Sequence, residues 1–277
     1  YFSDKIISEF EEAKNFGINP KPVMIGPVSF LLLGKEKEKG FNRIDLIDSL
    51  LPVYFEILNR LGEKGAEWVQ LDEPFLALDL DDKYKTIYQE VYTKIRQHFP
   101  SLKLLVATYF EGLHDNAELA TSMPVDALHL DLVRDPEHLD TILEKAPDEL
   151  SLSLGLIDGR NIWKNNFENS LEKIQKAIAS KGKENIMLST SCSLLHVPYD
   201  LDLEDDEKNL PKSVKNWLAF AKQKLDEVTT LAKLADPANR KEAENKLQEN
   251  KQAIQEREQS KLIHKSQVRE RMQSITP

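Results

Sequence analysis

The adjacent carboxylates Asp72 and Glu73, closed by Pro74, are the residues whose types and spacing point most directly to chemistry. They finish an apolar run over residues 67–74, and a carboxylate pair at a strand end can supply a general acid and a general base. Within a continuing strand the two would point to opposite faces and could not serve one substrate atom. Glu73 with Glu111 would form the acid and nucleophile of a retaining glycosidase if they stood about 5 Å apart across a cleft. Asp72, Glu73 and Glu111 are therefore the candidates for an independent barrel hydrolase or decarboxylase. The competing reading makes the pair a cap on the next helix and an ion pair in a barrel mouth.

Metal chemistry has less to build on. Zinc takes three or four N, S or O ligands, usually some at short spacing. Cys192 is the only cysteine and has no CxxC or HxC partner, and the six histidines are scattered from His98 to His264. His129 and Asp131 share one face of a strand run, which makes one pair and not a site. Ser191-Cys192-Ser193 lacks the GxSxG elbow, and a lone cysteine in an apolar setting behaves as a small hydrophobe. Gly155 and Gly159 do not make a P-loop, and the basic residues near Lys241 and Arg269 alternate with Glu as on a solvated helix face. No catalytic, substrate-binding or metal-binding residue is assigned.

These groups need elements to position them. Six apolar runs of strand length lie at residues 22–30, 67–74, 103–110, 127–133, 150–157 and 185–192. Between them, apolar residues recur at helical spacing. Leu46, Leu50, Val53, Ile57, Leu58 and Leu61 lead to a C-cap near Gly65, and Tyr84, Ile87, Tyr88, Val91 and Ile95 stop at Phe99-Pro100. Shorter patterns surround Leu139 and Leu171, and residues 112–122 are weakly helical. The repeat is strand then helix, which right-handed crossovers wind into a parallel sheet. A doubly wound sheet and a (β/α)8 barrel both fit this order. Asp72, Tyr109, Glu111, Asp131, Asp158 and Cys192 all fall at or past carboxyl ends of strands, which favours the barrel. Only six of the eight strands of a closed barrel are visible.

After Cys192 the pattern changes. An acidic loop at residues 200–207 precedes one long helical pattern through Val214, Trp217, Leu218, Phe220, Leu225 and Val228. Residues 238–260 are mostly charge, Asn and Gln, and read as a solvated arm. The boundaries expected are 1–235 for the barrel part and 236–277 for a helical linker. Of the 277 residues, 40% are hydrophobic and 30% charged, enough for one large core. The net charge of −10 argues against a nucleic-acid partner. One cysteine excludes an internal disulfide, and no apolar run reaches the roughly 20 residues of a membrane span. Tyr1 in place of Met, and an abrupt stop at Pro277, suggest a piece of something longer.

Several of these runs also resemble a known family. Residues 21–35, residues 67–74 ending in Asp72-Glu73-Pro74, Thr108-Tyr109-Phe110-Glu111-Gly112, residues 155–163 ending in Trp163, and residues 191–196 are similar, in order, to the amino-terminal domain of cobalamin-independent methionine synthases. Trp217 to Phe220 and residues 268–275 extend the likeness over nearly the whole chain. The resemblance implies two (β/α)8 barrels joined by a helical connection, with strands 3–8 of the first barrel present here and its first two βα units absent. It implies methyl transfer from 5-methyltetrahydropteroyltriglutamate to homocysteine in the cytoplasm. It implies zinc bound by the carboxyl-terminal barrel, which is the chain's expected partner, and no cofactor in this fragment. Cys192 stands where the other barrel has its last zinc-ligand Cys, but Thr108-Tyr109-Phe110 stands in place of His-x-Cys. Thr and Phe are not zinc ligands. Asp72 and Glu73 then read as supports of the barrel mouth, and the fragment alone is expected to be inactive.

Overall fold

The computed structural model describes residues 3–275. Tyr1 and Pro277, read above as the ends of a longer protein's piece, lie outside the described residues. The elements run α1 (Lys5–Asn15), β1 (Val23–Ile25), α2 (Pro27–Leu33), α3 (Ile47–Glu63), β2 (Trp68–Asp72), α4 (Asp82–His98), β3 (Lys103–Ala107), α5 (Ala117–Ser122), β4 (Ala127–Asp131) and α6 (His138–Lys145). They continue with β5 (Ser151–Ile157), α7 (Phe167–Lys181), β6 (Ile186–Thr190), α8 (Lys212–Lys215), α9 (Ala221–Ala235), α10 (Arg240–Gln259) and α11 (Ser266–Ser274). The strands form one six-stranded sheet in sequence order, and the ladders from β1 to β5 are all parallel. No helix among the described residues is long and apolar enough to cross a membrane.

The chain divides into two compact units, one of Tyr1–Gly155 with Ala177–Met187 and one of Leu156–Lys176 with Leu188–Pro277. In the first unit the ladder register sorts the side chains. Gln70 pairs with Leu105, Asp72 with Ala107, Ala107 with His129, and Asp131 with Gly155. Paired residues of a parallel ladder share a face, so this face carries small and polar groups that end in Asp72, His129 and Asp131. The opposite face carries Val69, Leu71, Leu104, Val106, Leu128, Leu130, Leu152 and Leu154, all fully or almost fully buried. β3 and β4 are thus buried on both sides, as a parallel strand between helices must be. The long helix α3 buries Leu51, Tyr54, Ile57, Leu58 and Leu61 along one stripe. It ends as its spacing predicts: Gly65 takes φ +83°, and the next amide, Ala66 N, reaches Leu61 O at 2.9 Å.

The first run departs from expectation. Only Val23–Ile25 is strand, and the apolar stretch that follows turns into helix α2. Pro27 takes its first turn, where a missing N–H costs nothing. A short, wholly apolar run does not by itself separate strand from helix.

The second unit corrects two readings. The long helix expected through Trp217 and Phe220 is broken. Trp217 closes a turn after α8 and the chain then leaves the helix, with Leu218 bridged to Trp163, Lys164 N bonded to Trp217 O at 2.9 Å and Ala219 N to Ile162 O at 2.8 Å. All four residues are buried, and the bonds across to Ile162 and Lys164 replace those of a continuous helix. The arm at residues 238–260 is not solvated either. α10 packs on α9 and buries Ala243, Leu247, Asn250, Ala253 and Ile254, one stripe built largely from small residues. Asn250 ties that stripe down: its Oδ1 accepts from Phe167 N at 3.1 Å and its Nδ2 donates to Asn165 O at 2.8 Å. Asn250→Ala leaves a buried amide and a carbonyl without partners and should lower the unfolding free energy by about 2 kcal/mol, read as a reduced urea midpoint. An unchanged midpoint would show that α10 is held by its apolar contacts alone.

Candidate functional site

Glu73 is fully buried, and its carboxylate sits at the start of α2. Oε1 accepts from Val28 N at 3.3 Å and from the Tyr92 hydroxyl at 2.9 Å. Oε2 accepts from Ser29 N at 2.7 Å and from the Tyr88 hydroxyl at 3.2 Å. The Ser29 hydroxyl also accepts from Phe75 N at 3.2 Å, closing the turn after β2 onto the same helix start. Burial pushes both phenols well above their ordinary range, and the neighbouring carboxylate adds to this, so they remain donors. Burial likewise pushes the Glu73 carboxyl up, against the hydrogen bonds that favour its ionised form. Two oxygens offer about four acceptor sites, and four donors fill them. Glu73 therefore has no free lone pair for a substrate. It is a cap, but on the helix before it in the chain and not on the one after it. A Cβ added at Gly26 would lie 2.1 Å from Glu73 Oε1, so this turn admits only glycine.

Asp72 is only half-buried. Its Oδ1 accepts from Gln70 Nε2 at 2.8 Å and its Oδ2 from the Tyr109 hydroxyl at 3.3 Å. Burial raises its pKa, opposed by those bonds and by the Lys21 charge; burial lowers that of Lys21, opposed by Asp72. Beside them opens a largely apolar cleft of about 530 Å³ lined by Ile25, Leu33, Phe75, Tyr109, Phe110 and Glu111. Glu111 sits at the exposed rim, where its Oε1 accepts from Gly112 N at 3.3 Å. Glu73 is enclosed and Glu111 is at the rim, so the two carboxylates do not face a common cleft as a glycosidase pair must. The site brings Asp72, Tyr109 and Glu111 to one mouth and leaves Glu73 behind it.

Asp131, His129 and His138 are spent on structure. Asp131 Oδ2 accepts from Phe110 N at 2.9 Å, and its Oδ1 from Val133 N at 3.1 Å and Arg134 N at 3.0 Å. It thereby fixes the loops after β3 and β4, including Phe110, which is held at φ +79° at the edge of the cleft. His129 is buried, with Nδ1 at 3.0 Å from Ser153 Oγ, and a Cβ at Gly155 would lie 2.8 Å from its ring. His138 Nε2 accepts from Leu113 N at 3.3 Å, and burial lowers its pKa, consistent with a neutral acceptor. Asp158 and Cys192 lie in the other unit. The Cys192 thiol is buried, donates to Ser193 O at 3.7 Å, and would be 2.8 Å from a Cβ at Gly159. Among the described residues no three His, Cys, Asp or Glu side chains converge as a metal site requires.

The second unit holds charged groups that the sequence reading passed over. Phe220, Lys224, Glu227, Leu231 and Leu234 recur at spacings of three and four, and all five are buried. Two charges on an apolar stripe are the signal that could have found them. Lys224 Nζ donates to Trp163 O at 3.1 Å. Glu227 Oε1 accepts from Asn165 N at 2.9 Å, while Oε2 is buried without a hydrogen-bond partner. Burial pushes Glu227 up to about 7, against Lys224, the Asn165 amide and Lys164. Burial lowers the pKa of Lys224 and Lys164 in turn.

Two outcomes follow from this geometry. Glu73→Ala strands two buried amides and two buried hydroxyls and should cost about 3 kcal/mol or more, read as a large drop in urea midpoint, while Asp72→Asn should change it little. Equal, small effects of the two would remove Glu73 as the anchor of α2. For Glu227 the folded pKa is raised above the ordinary 4.5, so its contribution to stability is present below pH 4.5 and is lost as the pH rises to about 7. Glu227→Gln should therefore gain stability relative to the parent chain between those limits, and parallel urea midpoints of the two proteins over that range would contradict it.

Residues 1–182 match the family model described as the N-terminal domain of cobalamin-independent synthase. The chain is 53% identical over 277 residues to the 5-methyltetrahydropteroyltriglutamate–homocysteine methyltransferase of Flavobacterium johnsoniae, covering 99% of this chain and 36% of that protein. It is 52% identical to the protein of the same name from Cytophaga hutchinsonii, with the same coverage. The chain thus spans about a third of the length of these curated relatives. Among solved structures it is similar in fold to a putative vitamin-B12 independent methionine synthase from Listeria monocytogenes, with a TM-score of 0.54 and 14% identity over 77% of this chain and 62% of that one. The match over residues 1–182, reached independently of the sheet and its polar mouth, places the chain in the cobalamin-independent synthase family, within the family's N-terminal domain.

Proposed function

We propose that this chain is the amino-terminal, non-catalytic part of an enzyme that transfers a methyl group from 5-methyltetrahydropteroyltriglutamate to homocysteine, giving methionine. The observation that carries the reading is a combination. The relatives bear that enzyme's name over the whole of the match, and three of the buried polar groups that could have done chemistry are held by the fold. Glu73 caps a helix, Asp131 fixes two loops and His129 is paired to Ser153.

In this reading the six strands are strands 3–8 of a (β/α)8 barrel, and the face ending in Asp72, His129 and Asp131 is the barrel's interior. Residues 1–235 are the barrel part and residues 236–277 lead toward a carboxyl-terminal barrel, the chain's partner. Zinc belongs to that other barrel, where it would stabilise the thiolate of homocysteine and so make it a nucleophile at neutral pH. This chain's part is to present the cleft beside Asp72 and Tyr109 and to hold its wall rigid. A cytoplasmic location goes with such a biosynthetic role.

The test compares the purified chain with the longer polypeptide, each assayed for methyl transfer between the two named substrates and for bound zinc after dialysis. The longer protein should carry both, and the chain alone neither. Methyl transfer by the chain, or stoichiometric zinc that is lost on Cys192→Ala, would sink the proposal.

A further inference from the structure

The loop that leaves β3 forms one wall of the cleft through Phe110 and Glu111, and it is held in an unfavourable shape. Phe110 takes φ +79° and His114 takes φ +42°, a region that crowds any side chain with a Cβ. Two such residues in one short loop persist only where partners from other elements over-determine them. Three side chains are those partners. Asp131 accepts from Phe110 N at 2.9 Å, and Asn116 donates to Leu76 O at 2.8 Å and to Leu78 O at 2.7 Å. Between these two ends the loop is held by His138, whose Nε2 accepts from Leu113 N at 3.3 Å. Asp135, on the approach to α6, packs over the same stretch, so that a Cβ at Gly112 would lie 2.2 Å from its Oδ2.

The His138 pin differs from the other two, because an imidazole nitrogen accepts a hydrogen bond only while it carries no proton. Protonation places an N–H on Nε2, and that group then faces the Leu113 N–H, donor against donor. Asp135, whose Oδ2 lies 3.9 Å from Nδ1, favours the imidazolium, and His114 on the facing turn opposes it. His114 in turn has Glu111 at 3.8 Å. Asp115 on that turn and Glu118 on α5 are exposed. Burial is the largest influence and holds the imidazole below its ordinary 6.5, so the pin is closed at neutral pH. A lowered folded pKa means that the closed form binds fewer protons. Its stability is therefore full above pH 6.5 and is lost as the pH falls through the lowered value.

We propose that the β3–α5 loop is an acid-released latch on the cleft. Protonation of His138 frees Leu113 N, the segment from Glu111 to His114 relaxes out of its left-handed turn, and the wall made by Phe110 and Glu111 shifts with it. All the parts of this latch lie in the first unit, and it does not depend on the methyl-transfer reading.

The experiment is NMR of the whole isotope-labelled chain between about pH 7.5 and about pH 5. The Leu113 amide should lose protection against hydrogen exchange by at least about tenfold over that range, each rate being compared with that of an unstructured chain at the same pH. The His138 and Phe110 rings should titrate with one shared midpoint below 6.5. The sheet amides of Leu105 and Leu128 should keep their protection. His138→Gln brings an amide oxygen near the place of Nε2, and that oxygen does not titrate. The variant should hold Leu113 protected throughout and abolish the Phe110 midpoint. The inference is overturned if Leu113 keeps its protection in the parent chain, loses it together with Leu105 and Leu128, or loses as much in His138→Gln. It is overturned equally by a Phe110 ring whose midpoint differs from that of His138, a result the parent chain gives by itself if the variant does not fold.

Discussion

The first unit depends on one buried carboxylate. A charge without water is stable only if its oxygens are filled by donors, and Glu73 finds four of them on two separate elements. Two are the free amides at the start of α2, groups that any helix must have satisfied by something. The other two are phenols one turn apart on α4. The end of β2, the start of α2 and the face of α4 are therefore locked to one point. Gly26 is part of the same constraint, because a side chain there would occupy the carboxylate's place. The residue that looked most like a catalyst is the one least free to act as one.

That lock divides the labour between two neighbours. Asp72 ends β2 on one side and Glu73 begins the turn facing the helices, as adjacent positions on a strand end require. Asp72 keeps company with Gln70, with the Lys21 charge and with Tyr109, which lines the cleft. Asp131 plays a part comparable to that of Glu73 one layer on. Its three backbone donors hold the loop that carries Phe110, and through Phe110 the wall of the cleft.

Much of this was legible from residue order, and the parts that were not share a cause. Parallel strands buried on both sides announce themselves as short apolar runs, so β2 to β6 fell where the runs did. The stretch from Pro27 to Leu33 misled because its helix is completed by Glu73, a residue more than forty positions away. The stripe on α10 was hidden for another reason. Ala243, Asn250 and Ala253 bury little apolar area each, and a count of large hydrophobes misses a helix that packs closely on small side chains. Trp217 to Phe220 read as helix because their neighbours do, although their backbone bonds go across to Ile162 and Lys164. The polar mouth was correctly placed at the carboxyl ends of strands. Its chemistry was not, because whether a carboxylate is an acid, a cap or a loop tie depends on which donors surround it, and those come from distant sequence.

Lys224 and Glu227 carry this argument furthest. Both stand on the buried stripe of α9, where two leucines would have cost nothing in desolvation. The fold instead keeps a lysine that is satisfied by the Trp163 carbonyl and a carboxylate that is satisfied at only one oxygen. In Glu73, Asp131 and His129, each buried polar group is matched by partners from its own chain, and each is structural. Glu227 differs in one atom, because its Oε2 is buried without a hydrogen-bond partner. Removing a polar group from water without returning all of its hydrogen bonds destabilises a fold, so a chain that retains the arrangement has either a loss with no return or a missing partner.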